Sequence, residues 1–160
     1  MAGSLLDSNF FIQSYHFIPM DIFPSFWKEI GNLLKSGEAI VHETVFAELK
    51  KHEDELAPWI KGLEIEPMET SLDCISKYVE LCEWARSSDT YTENAKRTFT
   101  DSGRADAWLC AEAFASGFDL VSYEVKSNST NRIKIPNVCE LLGVSCLGGF
   151  DYMRKQGFCF

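Results

Sequence analysis

The sequence has no apolar run approaching the length that crosses a bilayer, and no basic start leading into a hydrophobic signal core. A membrane protein and a secreted one are therefore not expected, and a cytoplasmic location is. Cysteine occurs without pattern: Cys74, Cys82, Cys110, Cys139, Cys146 and Cys159 make no CxxC pair and no framework spacing. This argues against a disulfide scaffold or a thiolate zinc site, and for buried thiols in a reducing compartment. Histidine is scarce, and His16, His42 and His52 lack a ligand spacing such as HxxxH, so a histidine-based metal site is not expected. Positive charge is in deficit as well, with 15 basic against 24 acidic residues and a formal net charge of −9. That is the wrong overall sign for a nucleic-acid binder, which would have to meet phosphate through bound cations or a local basic cluster. Internal repeats, linkers and low-complexity stretches are missing too.

What remains is a chain of 160 residues, 46% hydrophobic and 13% aromatic, enough to bury a core as one domain over residues 1–160. Short apolar runs alternate with helix-period segments. Ser4-Leu5-Leu6 reads as a strand ending at Asp7, and residues 10–22 as a helical turn plus loop, because Pro19 interrupts any single helix. A helix from Ser25 to about Lys35 opens on Pro24 and stops at Gly37, followed by a strand at 39–42. Helices are expected from Thr44, over 53–61, and from an N-cap at Ser71 to about Ser87, the last burying Ile75, Tyr78, Val79, Cys82 and Trp84. Glu64 to Pro67 reads as an edge strand. An alanine-rich helix carries Asp106 in its first turn and stops at Gly117; a strand at Leu120-Val121 runs out into Ser122-Tyr123-Glu124. A polar loop, a helix from Pro136 to Leu142, a strand at 144–146 and a helix over 149–156 complete the chain. The alternation predicts an α/β fold with a central, mostly parallel sheet covered on both faces, a three-layer α/β/α arrangement.

Ligands in open α/β sheets gather beyond the carboxyl ends of the strands. The acids at strand ends and in early helical turns are Asp7, Glu48, Asp106 and Glu124, from four separated segments. Such carboxylates suit hard divalent cations, which activate water and stabilise charge on a phosphodiester. Each acid alone is equally well explained as a capping anion or a solvated loop residue. Glu43 competes with Glu48 as the second acid, and spacing does not choose between them. The four tryptophans and His42 sit among apolar neighbours and read as packing groups. The DxD pair of HAD-like phosphatases is missing, since Asp7 is followed by Ser8 and Asn9.

The chain resembles a PIN domain, the nuclease fold of VapC-type toxins, over nearly its whole length. The likeness is carried by Leu5-Leu6-Asp7-Ser8-Asn9-Phe10-Phe11-Ile12, Val45-Phe46-Ala47-Glu48-Leu49 and Ala105-Asp106-Ala107-Trp108-Leu109, which are general PIN motifs. Residues 23–27 and 54–59, Val121-Ser122-Tyr123-Glu124, and Lys134-Ile135-Pro136-Asn137-Val138-Cys139 bring it closest to a PIN-like subfamily of uncharacterised bacterial proteins. The resemblance implies Mg²⁺- or Mn²⁺-dependent hydrolysis of RNA, with Asp7, Glu48, Asp106 and Glu124 as metal-binding and catalytic acids. It implies that Ser8 or Asn9 steadies Asp7 and that Ser122 orients water or substrate. It also implies an antitoxin partner and a homodimer. Glu124 stands where PIN nucleases more often carry Asp. Lys126, Arg132 and Lys134 follow that acid closely and are expected to meet RNA phosphates, with Lys96, Arg97 and Arg104 on the other side. The alternative function is a PIN-fold RNA- or protein-binding module without turnover, which the acidic charge favours.

Overall fold

The structure, a computed structural model, describes residues 3–160. Its sheet has four short strands, β1 (Ser4–Leu6), β2 (Ala39–Ile40), β3 (Asp119–Val121) and β4 (Cys146–Leu147), in the order β2-β1-β3-β4. Every pairing is parallel, with Leu5 opposite both Ile40 and Leu120, and Val121 opposite Leu147. Parallel neighbours need crossovers, and helices supply them. Among the described residues these are α1 (Ser8–Phe17), α2 (Pro24–Ser36), α3 (Glu43–Leu49), α4 (Leu56–Gly62), α5 (Leu72–Ser87), α6 (Glu93–Phe99), α7 (Ala105–Ser116), α8 (Ile135–Leu142) and α9 (Gly149–Lys155). The expected α/β class with a parallel central sheet is what the chain adopts.

The two central strands are apolar and mostly buried rather than alternating, while β4 at the edge is half-buried. Leu5, Leu6, Leu120 and Val121 are fully enclosed and join Phe10, Phe11, Ile30, Leu109 and Val138 in one core. Helix punctuation follows local chemistry. Pro24 opens α2, and Gly37, Gly117 and Gly143 close α2, α7 and α8 in the left-handed conformation. Ser71 caps α5 by accepting from Cys74 N. Gly149 starts α9 against the Tyr123 ring, where a Cβ would overlap the aromatic atoms.

Three expectations are corrected. Residues 10–17 belong to the ten-residue α1, because Pro19 lies past its end and the extended Asp7 starts it cleanly. Residues 64–67 form no strand: Glu64 turns to positive φ, and only a bridge between His42 and Met68 joins this segment to the strand region. On α5 the buried face is Cys74, Tyr78, Leu81, Cys82 and Ala85, while Ile75 and Val79 are 43% and 50% exposed.

Candidate metal centre

Parallel register builds the site. Leu6 is paired with Val121, so the next residues, Asp7 and Ser122, emerge side by side at the carboxyl edge. Asp7 N donates to Val121 O at 3.0 Å, and Ser122 Oγ donates to Asp7 Oδ2 at 2.9 Å. Ser8 Oγ lies 3.4 Å from Asp7 Oδ1. Asn9 Oδ1 accepts from Tyr123 N at 3.0 Å, tying the start of α1 to the exit of β3. Ser8, Asn9 and Ser122 thus steady the first carboxylate and its two backbones.

The other acids arrive on helices. Glu48, near the end of α3, accepts from Ala105 N at 3.0 Å and fixes that helix to the first turn of α7. The next residue, Asp106, accepts no hydrogen bond from any described residue; burial and neighbouring charges alone set its ionisation. Glu43 lies elsewhere, bonded to Thr70 N and Oγ1. Glu124 follows β3 by way of Ser122 Oγ, which accepts from its N–H. Its carboxylate is bound on both sides, by the Arg132 guanidinium and by Ile135 N at 3.1 Å, so it also caps α8.

Charge repulsion marks the place. Burial first, then Asp106, Glu124 and Glu48, push the Asp7 carboxyl up to about 7, against the Ser122 hydrogen bond that lowers it. Burial and then Glu124 raise Asp106 to about 6, with Arg132 and Arg104 pulling the other way. The donor set is all oxygen, and among the described residues Asp106 accepts no hydrogen bond and Glu48 is bound only through Oε1, a set whose chemistry suits a hard divalent cation. Asp7, Glu48 and Asp106 lie within electrostatic reach of one another, although among the described residues no three of these acids bring ligand oxygens within 4.8 Å of each other; Glu124 adds its charge while held by Arg132.

The expected phosphate-contact residues separate. Arg132 sits beside the cluster, paired with Glu124. Lys126 is drawn to Glu140 on α8, and Lys134 is the half-buried residue preceding α8. Lys96 turns back to Arg86 O and Glu93, whereas Arg104 stands exposed at the entrance to α7.

A second polar cluster was not foreseen. His42, Cys74 and Glu112 are all buried, with ligand-type atoms within 4.8 Å of one another. Each has protein partners. His42 Nδ1 lies 2.8 Å from Thr44 Oγ1, Cys74 Sγ faces Trp108 O, and Glu112 accepts from Ser71 Oγ and Ser116 Oγ at 3.0 and 2.8 Å. Burial would raise the Glu112 carboxyl, but the donors from Cys74, Ser116 and Ser71 outweigh it and hold it low. Burial holds His42 neutral against the pull of Glu112. The arrangement binds α3, α5 and α7 together. A lone Glu inside Ala111–Ala113 was the available signal.

Comparison with known proteins gives the following. A family described as "Domain of unknown function (DUF4411)" matches residues 4–160. No curated protein sequence matches the chain. A chain of the crystal structure of VapBC2 from Rickettsia felis, bound to a DNA fragment from their promoter, superposes with a TM-score of 0.56 at 18% identity, over 91% of this chain and 97% of that one. A chain of DNA-bound VapBC from Salmonella typhimurium does so with a TM-score of 0.52 at 17% identity, over 84% and 98%. At such identities the likeness is one of fold, and the PIN-like fold read from the sequence is the fold they share.

Proposed function

We propose that this chain, which belongs to the DUF4411 family, is a divalent-metal-dependent endoribonuclease that hydrolyses RNA phosphodiester bonds, and that it is the toxin of a toxin–antitoxin pair. The observation that carries the reading is the meeting of Asp7, Glu48 and Asp106 at one sheet edge, with mutual repulsion that a cation would relieve. Asp7, Glu48 and Asp106 would hold Mg²⁺ or Mn²⁺, and Glu124 would join them once released from Arg132. Bound there, the metal would supply an activated water and stabilise charge on the phosphodiester. The chain's own contribution is position: Ser122 orients Asp7, the Ala105 N–H orients Glu48, and Arg132 and Arg104 offer positive charge beside the acids. Supporting the toxin role is the shared fold with structures of VapBC complexes; an antitoxin would be the protein partner, and the cytoplasm the place of action.

The test is cleavage of end-labelled single-stranded RNA by purified protein with Mn²⁺ or Mg²⁺. Cleavage that stops with chelator and falls by at least about 100-fold in Asp106→Asn is expected, since even residues outside the first coordination sphere cost 10–100-fold. RNA bound but uncleaved at every metal concentration would favour the second reading, a binding module without turnover. The pairing of Glu124 with Arg132 is the observation on that side.

A further inference from the structure

Next to the carboxylates lies a cavity of about 270 Å³ that none of the acids needs for its own placement. Asp106 stands at its junction with the metal centre, so a group seated in it is a direct neighbour of whatever reacts there. Its floor is apolar and fixed: Ala95 and Phe99 from α6 and Ile133 from the loop before α8 are all buried. The rest of its lining is polar: Asn94 and Thr98 of α6, Asn131, Arg104 and Arg132. Larger hollows, about 360 Å³ between Ala113 and Ser145 and about 370 Å³ between Leu34 and Glu66, lie away from the carboxylates.

The Arg132 guanidinium is engaged by Glu124, whereas Asn131 and Arg104 are held through their backbones. Asn131 N donates to Ser129 Oγ at 3.2 Å, and Arg104 N donates to Asp101 O at 3.1 Å. A side-chain amide offers donor and acceptor together, the complement of a nucleobase edge. A guanidinium fork suits phosphate. The volume falls just under the roughly 300–1,000 Å³ of small-molecule sites, room for one nucleotide and not a run of them. No exposed aromatic ring lines the cavity, so a base in it would be read by its edge over an apolar floor rather than by stacking.

The geometry points to a nucleotide-binding subsite, in which Asn94, Asn131 and Thr98 select the base of one RNA residue adjoining the scissile phosphate and Arg104 holds its phosphate. The inference rests on the nuclease reading for the identity of the ligand. It also explains how a chain of net charge −9 meets RNA: locally, and beside the acids.

Fluorescein-labelled tetranucleotides of A, C, G and U provide the test, with binding measured by anisotropy in an Asp7→Asn background that prevents turnover. One tetranucleotide should bind about 10-fold more tightly than the weakest. Asn94→Ala/Asn131→Ala should flatten that ranking to within about twofold, while Arg104→Gln should weaken all four alike. Both asparagines are exposed, and an unchanged melting temperature will show that the variants fold. A flat ranking in the parent, a ranking untouched by the double substitution, or no binding at all overturns the subsite. Wild-type protein that cleaves RNA while the ranking ignores both asparagines leaves the nuclease and removes the subsite. A ranking that the substitutions flatten, in a protein that cleaves no RNA, leaves the subsite and removes the nuclease.

Discussion

Asp7 is 2% exposed and has three other carboxylates within electrostatic reach, and this gives it a measurable cost. Its folded value of about 7 lies above the ordinary 3.8, so the native state holds a proton that the unfolded chain has released. Stability without metal should therefore fall as pH rises from about 4 to 7 and level off above. Asp7→Asn should remove most of that slope and stabilise the metal-free protein at pH 8 by about 2–4 kcal/mol, measured by urea unfolding at both ends of the range. The same substitution should abolish cleavage, so stability and activity move in opposite directions. Arg132 gives a second contrast. Because it binds the Glu124 carboxylate that a cation would otherwise engage, Arg132→Gln should tighten Mn²⁺ binding by roughly 10-fold in calorimetry. Unchanged affinity would mean that Glu124 is no part of the cation's surroundings. The places of Asp7, Asp106 and Glu124 were legible in the sequence because strand ends and first helical turns are marked by short-range signals; spacing did not separate Glu48, near the end of α3, from Glu43. The Arg132 pairing was not legible, because it depends on the path of a loop with no periodicity.

Helix to helix, the buried polar network is the tightest constraint. Glu112 on α7 accepts from the cap residue of α5, and His42 caps α3 beside it. Ser71→Ala should cost about 1 kcal/mol as a lost cap. Glu112→Ala should cost more, about 3–5 kcal/mol, by stranding buried donors around it. Chemical denaturation of the two variants checks the order, and equal losses would show that Glu112 is no more than a partner of Ser71. The sequence revealed that α5 exists and where it starts, since Ser71 and the helical period are local. It misassigned the face: Ile75 and Val79 make as good an apolar stripe as Cys74, Leu81 and Ala85, and only α7 decides which one is covered. The same limit applies to α1, where Pro19 suggested an interruption that falls after the helix has ended.

Across the whole molecule, the sheet order β2-β1-β3-β4 turns scattered acids into one group. β1 and β3 are neighbours, so Asp7 and Ser122 meet, and α3 and α7 bring Glu48 and Asp106 to the same edge. Alternating strands and helices predicted the class; convergence required the register. Whether these carboxylates form one cation site is read by a thermal melt titrated with Mn²⁺. A cation that binds only the folded chain raises the melting temperature with concentration. The wild-type protein should rise steadily through millimolar Mn²⁺, by the equivalent of about 2.7 kcal/mol at one hundred times the dissociation constant, while Asp7→Asn/Asp106→Asn stays flat. A wild-type melting temperature that ignores Mn²⁺, or a double variant that shifts as much as the wild type, would contradict the account.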